Sequence, residues 1–258
     1  MAPASGQEQP VLETHQLCFS FHSKRVLDDV TMHVNKGQFV VLLGANGAGK
    51  TTLFSLITGL YATDLGQVFI GGSDLRTQTQ QALAQIGVVF QKPTIDRDLS
   101  VLQNLRYFCQ LQGIARSDAK TQITLALEQH SLSELAGRKV MQLSGGQQRR
   151  LELVRSLLHK PELLLMDEPT VGLDHESRTA FLNSTLQLCR DRKTGVLWAT
   201  HLMDEVASAD YLYLLHQGKI VARGTIPALL AQHQQSTLDG LYRHLVQIDV
   251  STSQGPGA

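Results

Sequence analysis

The stretch FVVLLGANGAGKTT (39–52) restricts the fold of this chain more than any other part of the sequence. Its first five residues form a continuous apolar run, which predicts a strand that is buried on both faces, as in parallel sheets. Positions 44–51 then fit the pattern G-x-x-x-x-G-K-[ST], in which a glycine-rich loop presents backbone amides to phosphate oxygens before a helix begins. We therefore predict a strand, a phosphate-binding loop and a helix from about Lys50, in that order.

This loop predicts a site for a nucleoside triphosphate. We expect the ammonium of Lys50 to reach the terminal phosphates and the hydroxyl of Thr51 to ligate Mg²⁺. The alternative is a glycine-rich turn with an accidental lysine, which the preceding strand and the following helix disfavour. The loop residues that we predict to bind the nucleotide are Gly44, Ala45, Asn46, Gly47, Ala48, Gly49, Lys50, Thr51 and Thr52.

Five further apolar runs are typical of strands, and helical stretches separate most of them. These runs cover residues 67–70, 86–90, 163–167, 196–200 and 211–216. The alternation predicts an α/β fold with a mostly parallel sheet wrapped by helices. Residues 11–43 indicate an antiparallel N-terminal portion. Residues 92–160 indicate an all-helical insertion, in which Ser100 and Gln103 have the spacing of a capping box.

The charge of the chain argues against nucleic acid as its main partner. The 23 basic and 23 acidic residues give a net charge of zero, whereas nucleic-acid binding requires neutralisation of phosphates. No apolar run approaches the roughly 20 residues that span a bilayer. Cys18, Cys109 and Cys189 have no metal-ligand spacing and suit a reducing compartment. We therefore expect a soluble, cytosolic protein.

Changes in composition mark the two ends of the chain. Residues 1–10 and the last eight residues, STSQGPGA, are small and polar and contain glycine or proline. This composition predicts disorder at both ends.

Two adjacent carboxylates follow another buried apolar run, LLLM (163–166). Asp167 lies at the predicted carboxyl end of that strand, where sheets of this type hold their ligands. A carboxylate at this place can hold Mg²⁺, directly or through water. Glu168 can then orient and polarise an attacking water. A strand that simply ends in solvated acids is the alternative.

The loop GANGAGKTT, the sequence LSGGQ (143–147) and LLLMDE (163–168) together resemble the ATP-binding subunit of ABC transporters. The resemblance extends from about residue 11 to residue 225 and implies a P-loop NTPase (RecA-like) fold that binds ATP and Mg²⁺. Residues 11–225 are therefore expected to form the ATP-binding domain, and residues 226–258 a helical C-terminal extension with a disordered tail. The resemblance also implies two ATP-binding domains arranged head to tail, with the LSGGQ of one binding the ATP of the other. Ser144, Gly145 and Gly146 would then present donors at the beginning of a helix to the partner's nucleotide.

The same resemblance implies roles for further residues. Gln91 matches a glutamine that contacts Mg²⁺ or water, His201 matches a histidine that contacts the γ-phosphate, and Glu168 matches the catalytic carboxylate. Asp174 matches an aspartate that communicates across the dimer. Phe21 stands where the family usually has a tyrosine that stacks on adenine, and its π-face preserves that ability. A purely structural histidine at position 201 and a core aromatic at position 21 are the alternatives.

Finer resemblances concern the direction of transport. EPTVGLD (168–174) and STLDGLYRHLVQ (236–247) are similar to exporter ATPases of the ABC-2 type, and residues 91–107 to subunits associated with quinone-dependent alcohol catabolism. This implies a peripheral protein on the cytoplasmic face of the inner membrane, with transmembrane permease subunits and a second copy of the chain as partners. An importer subunit, a non-transport ATPase of translation or DNA repair, and a binding module without catalysis remain alternatives.

Overall fold

The computed structural model describes residues 10–253, with side chains up to residue 246. The strands are β1 (Leu12–Phe21), β2 (Lys24–Val34), β3 (Phe39–Leu43), β4 (Gln67–Ile70), β5 (Ser73–Asp74), β6 (Ile86–Val89), β7 (Leu163–Asp167), β8 (Gly195–Thr200), β9 (Tyr211–His216) and β10 (Lys219–Gly224). The helices are α1 (Lys50–Ile57), α2 (Thr79–Leu83), α3 (Val101–Leu111), α4 (Arg116–Gln129), α5 (Gly145–Leu157), α6 (His175–Arg192), α7 (Met203–Val206), α8 (Ile226–Gln232) and α9 (Leu238–Ser253).

The larger sheet has six strands in the order β10-β9-β3-β8-β7-β6. β9, β3, β8, β7 and β6 are parallel, and β10 pairs antiparallel with β9 at the edge. All five residues of β3 are buried, as its apolar run predicts. Because the carboxyl ends of parallel strands meet at one edge of a sheet, the residues that follow β3, β6, β7 and β8 lie close together.

The smaller sheet is antiparallel and has the order β2-β1-β4-β5. It packs with α1 against one face of the six-stranded sheet, and the apolar side chains between them form the first hydrophobic core. The predicted α/β fold with an antiparallel N-terminal portion is therefore confirmed. The hairpin between β1 and β2 also brings the end of β1 beside the loop at 44–49.

The other face of the six-stranded sheet packs against α5, α6 and the C-terminal helices α8 and α9. A third core lies within the helical insertion and joins α3, α4 and α5. No strand occurs between residues 92 and 160, all of which the structure describes. The predicted capping box at the beginning of α3 is present, with Ser100 Oγ accepting from the amide of Gln103. Helix α5 contributes side chains to two cores and so connects the insertion to the sheet.

Some details differ from the sequence-based boundaries. Strand β10 was not predicted, because half-exposed edge strands lack a continuous apolar run. Helix α9 continues to Ser253, so it includes the first three residues of the predicted tail. Residues 1–9 and 254–258, for which disorder is predicted, lie outside the described residues.

No helix among residues 10–253 combines the length and the apolar character needed to cross a membrane. Cys18, Cys109 and Cys189 are buried free thiols.

Candidate functional site

The loop between β3 and α1 curls around the ammonium of Lys50. Lys50 is only 4% exposed, and its Nζ donates to the carbonyl oxygens of Gly44 (2.7 Å) and Ala45 (3.1 Å). Gly49, which precedes α1, has φ +112, and a Cβ there would lie 2.8 Å from Cδ2 of Leu27. This loop conformation therefore requires glycine at position 49.

A cleft of about 780 Å³ opens beside the loop. It joins the β1–β2 hairpin, the loop, and the ends of β6 and β7. Its lining residues are Phe21, Lys24, Arg25, Val26, Asn46, Gly47, Gly49, Lys50, Thr51, Thr52, Gln91, Glu168 and Gln217. Three of these side chains are cationic and one is a carboxylate, so the charge of the lining suits a polyanion.

Not every residue predicted for the nucleotide site lines this cleft. Gly44 and Ala48 are buried behind the loop, and Ala45 is exposed outside the cleft lining. Asp167 is buried and does not line the cleft. The structure therefore brings nine of the predicted residues to one cleft, whereas Ser144, Gly145 and Gly146 do not line it.

The carboxylate of Glu168 is the meeting point of three predicted residues. Its Oε1 lies 3.0 Å from Nζ of Lys50 and 3.2 Å from Nδ1 of His201, and its Oε2 accepts from Nε2 of Gln91 at 3.1 Å. Burial alone would raise the pKa of Glu168, but Lys50 and then His201 outweigh it, so that the pKa lies below its ordinary value. Glu168 is therefore ionised at neutral pH.

The backbone of Glu168 is strained. Its φ is +45, in the left-handed region that residues other than glycine, asparagine and aspartate seldom adopt. The amide of Glu168 donates to the carbonyl of Ala199 at 2.9 Å, which ties the end of β7 to the end of β8. Backbone strain of this kind persists where the neighbouring structure holds a residue in place.

Asp167 is the candidate metal ligand of this site. It is 2% exposed, and burial raises the pKa of its carboxyl while the neighbouring Thr51 hydroxyl opposes that shift. Its Oδ1 is buried without a hydrogen-bond partner. A buried carboxylate oxygen that lacks a donor, next to a threonine hydroxyl, fits an oxygen-liganded cation such as Mg²⁺.

Phe21 belongs to an aromatic cluster at the mouth of the cleft. Its ring lies edge-to-face against Phe19 (centroids 4.9 Å apart) and against Tyr61 (5.4 Å). The residue is nevertheless 42% exposed, so it is not a core aromatic. One face of a partly exposed ring at a nucleotide cleft is suited to stacking on a base.

The LSGGQ segment lies apart from this cleft. Ser144 precedes α5 and forms a capping box with Gln147, whose amide donates to Ser144 Oγ at 3.3 Å. Ser144 and Gly145 are exposed, and neither lines the cleft. The segment instead borders the first turn of α6, because a Cβ on Gly146 would lie 3.1 Å from Oγ of Ser177.

Asp174 caps helix α6. Its Oδ1 accepts from the amide of Ser177 at 2.9 Å and its Oδ2 from the Ser177 hydroxyl at 2.8 Å. These hydrogen bonds lower the pKa of Asp174. The residue is exposed beside LSGGQ, where a partner subunit can reach it.

Some buried polar residues around the site escaped the sequence analysis. Arg149 and Glu152 on α5 form a buried ion pair of 2.6 Å. Glu205 accepts from the hydroxyl of Thr170 and, at 2.9 Å, from Nε1 of Trp198. The sequence does show that Arg149 and Glu152 are opposite charges three residues apart in a predicted helix. Exposed ion pairs on helices have the same spacing, so the sequence does not reveal that this pair is buried.

Known proteins resemble this chain over most of its length. The family model described as "ABC transporter" matches residues 27–171. The linearmycin resistance ATP-binding protein LnrL of Bacillus subtilis (strain 168) is 35% identical over 216 residues, which cover 83% of this chain and 69% of that protein. A Nod factor export ATP-binding protein of Paraburkholderia xenovorans (strain LB400) is 34% identical, covering 86% of this chain and 73% of its own length.

Other matches include an import protein and solved structures. The spermidine/putrescine import ATP-binding protein PotA of Haemophilus influenzae (strain ATCC 51907 / DSM 11121 / KW20 / Rd) is 31% identical over 85% of this chain, which spans 59% of the length of PotA. A solved ATP-binding subunit of an ABC transporter aligns with TM-score 0.81 and 27% identity over 91% of this chain and 99% of its own. The chain therefore belongs to the ABC transporter family, as an ATP-binding subunit with ATPase activity.

Proposed function

We propose that two copies of this chain close around two molecules of ATP and, by hydrolysing them, drive export through separate membrane subunits. In this proposal the chain is a peripheral protein on the cytoplasmic face of the inner membrane. Each ATP site combines the phosphate-binding loop of one copy with the LSGGQ segment of the other.

The observation that carries the proposal is the separation of the two phosphate-binding elements. Ser144 and Gly145 are exposed at the beginning of α5, outside the cleft that Lys50 and Thr51 line. A helix N-terminus with free amides favours anions. Within residues 10–253, the LSGGQ segment does not line the cleft at the phosphate-binding loop of its own chain. In the proposal it therefore binds the phosphates held by the loop of a second copy.

The residues around Glu168 suit the hydrolysis of a phosphoanhydride. Its ionised carboxylate can accept a proton from the water that attacks the γ-phosphate, while Gln91 and His201 orient that water and the phosphate. Lys50 can exchange its bond to Glu168 for the terminal phosphate oxygens. Mg²⁺, held by Thr51 and Asp167 with Gln91 nearby, would neutralise phosphate charge when bound.

The direction of transport is part of the proposal. The similarity to the resistance protein and the Nod factor export protein, together with VGLD at 171–174, supports export. The similarity to PotA favours import as the second candidate. The resemblance to subunits of quinone-dependent alcohol catabolism stays a prediction.

The substitution Glu168→Gln tests the proposed chemistry. It keeps the size of the side chain and removes the proton acceptor, so ATP binding should persist while turnover falls by at least about 100-fold. The variant should accumulate as a dimer in MgATP, measurable by size-exclusion chromatography with light scattering. Near-normal hydrolysis by Glu168→Gln would remove Glu168 from this role.

Two further variants complete the test. Glu162→Gln changes an exposed carboxylate outside the cleft and should leave turnover and oligomeric state unchanged. Lys50→Ala should weaken nucleotide binding itself. A Lys50→Ala chain that binds ATP as tightly as the parent would contradict the assignment of the loop.

A further inference from the structure

The ion pair of Arg149 and Glu152 lies at the centre of the hydrogen bonds that support the ATP site. Both residues are on α5, one turn apart, and they are 5% and 0% exposed. Nη1 of Arg149 lies 2.6 Å from Oε2 of Glu152. A charge pair this deeply buried is costly to desolvate and is stabilising only when its remaining donors and acceptors are also satisfied. The partners of those remaining atoms therefore indicate what the pair does.

The pair binds the segment around Gln91 on both sides. Nη1 of Arg149 also donates to the carbonyl of Phe90 at 2.7 Å, and Oε1 of Glu152 accepts from the amide of Thr94 at 2.8 Å. Phe90 immediately precedes Gln91, and Thr94 follows it by three residues. The two ends of this short segment are therefore fixed to one helix by one ion pair.

Arg149 also binds the backbone that carries Glu168. Its Nη2 donates to the carbonyl of Glu168 at 3.4 Å, and its Nε donates to the carbonyl of Pro169. These carbonyls flank the strained φ of Glu168. A planar guanidinium holds several acceptors in fixed directions, which a single ammonium does not. Arg149 therefore holds the left-handed backbone of Glu168 and, with it, the direction of the Glu168 carboxylate.

The same helix begins with the LSGGQ segment. Gly146 and Arg149 are one turn apart, and α5 runs without interruption through both. Its apolar side chains pack in the core of the sheet and in the core of the insertion. Arg149 therefore lies between the LSGGQ segment, which is proposed to bind the ATP of the partner, and Glu168, which is proposed to act on the ATP of its own chain.

We propose that Arg149, paired with Glu152, is a positioning residue for ATP hydrolysis that fixes Gln91 and Glu168 at the separation seen in the site. It does not line the cleft and acts through the backbone that carries those two side chains. The inference rests on the proposed role of Glu168.

The test replaces the pair in the full-length chain. Removing Arg149 alone would leave Glu152 as an uncompensated buried charge, so the main variant is the double substitution Arg149→Met/Glu152→Met, because apolar replacement of a buried pair often preserves folding. We expect the double variant to bind ATP within about threefold of the parent while kcat falls by about 10- to 100-fold, since small displacements of catalytic groups have effects of this size. Arg149→Lys should have an intermediate kcat.

The chain offers a matched control next to the pair. Arg150 is chemically identical to Arg149 but only partly buried, and it makes none of these contacts. Arg150→Met should therefore keep the parental kcat. The readouts are kcat and KM from phosphate release, the Kd for ATP from titration calorimetry, and the melting temperature as a check on folding.

The outcomes separate this inference from the function on which it rests. A parental kcat in the folded double variant would overturn the positioning role. An equal loss of ATP binding and kcat would also overturn it, because that result indicates only a structural role. A Glu168→Gln chain that hydrolyses ATP normally would instead refute the proposed chemistry, whatever the Arg149 variants show.

Discussion

The ion pair between Lys50 and Glu168 makes the nucleotide-free site compete with its own ligand. Both side chains are nearly buried, at 4% and 8% exposure, and the charged atoms are 3.0 Å apart. Coulomb attraction at this distance is roughly 5 kcal/mol at an effective dielectric constant of about 20. Lys50 must release at least part of this interaction when it turns to phosphate oxygens, so Glu168 lowers the affinity for the nucleotide that it is proposed to help hydrolyse.

Removing the charge of Glu168 should therefore tighten nucleotide binding. Glutamine keeps an oxygen that can accept from Lys50, and the phosphate recovers much of the lost attraction, so the net gain is smaller than the Coulomb figure. A hydrogen bond with a charged partner contributes about 1.5–3 kcal/mol. We take about 1–2 kcal/mol as the net gain, which lowers the Kd by roughly 5- to 30-fold.

ADP binding measures this effect in isolation. ADP is the product of the reaction, so the wild-type and Glu168→Gln chains can be compared without turnover, and chelating buffer removes any contribution of Mg²⁺ at Asp167. Titration calorimetry gives the Kd for each chain. Glu162→Gln is the control, because it neutralises an exposed carboxylate outside the cleft. A Glu168→Gln chain that binds ADP no more tightly than wild type would refute the reasoning.

The pKa of Glu168 sets the pH range in which the pair exists. Burial opposes ionisation, but Lys50 and His201 bring the pKa below the ordinary value of 4.5. The contribution of the pair to stability is therefore fully present above pH 4.5 and is lost as the pH falls through the lower folded-state pKa. The difference in ADP affinity should accordingly be constant from pH 6 to pH 8.

Three further predictions concern other parts of the site. Asp167→Asn should raise the melting temperature of the ligand-free chain. Burial raises the pKa of Asp167, so its charged form destabilises the fold above the ordinary pKa of 3.8. A gain of about 1 kcal/mol in the free energy of unfolding corresponds to roughly 2–4 °C in calorimetry. The same variant should lose the additional stabilisation that MgATP gives over ATP in EDTA, and an unchanged Mg²⁺ effect would contradict the metal assignment. Gly49→Ala should abolish ATP binding or folding, because its Cβ would lie 2.8 Å from Leu27 at φ +112, and a soluble variant with parental affinity would contradict this. Phe21→Ala should raise the Kd for ATP and for GTP alike, by roughly 5- to 150-fold from the loss of stacking worth about 1–3 kcal/mol, whereas Phe21→Tyr should not.

The strands of the parallel sheet could be predicted because they are continuous apolar runs. Strand β10 could not be predicted in that way, because it is a partly exposed edge strand. A signal for it was nevertheless present in Gln217 and Gly218, whose φ values of +45 and +81 form a two-residue hairpin turn between β9 and β10. Glycine after a polar residue between two apolar runs is the pattern for such a turn.

The loop around Lys50 and the carboxylate of Glu168 could be predicted because each has a fixed local pattern. Arg149 could not be distinguished from Arg150 by sequence. Both are arginines near the beginning of α5, where the neighbouring residues are polar, and only Arg149 is buried. Its burial depends on backbone carbonyls 20 and 59 residues away in the chain, those of Pro169 and Phe90. Backbone acceptors have no sequence signature, so contacts of this kind emerge only from the folded structure.

The positive φ of Glu168 has a consequence for protein engineering. Asparagine and glycine adopt this backbone with less strain, which is of order 1–2 kcal/mol for other residues. Replacement would also leave the buried Lys50 without its ion-pair partner, so a selection for heat resistance rewards Glu168 for its contact with Lys50 and not for its proposed role in hydrolysis. Directed evolution of this protein needs a screen for turnover beside any screen for thermal tolerance.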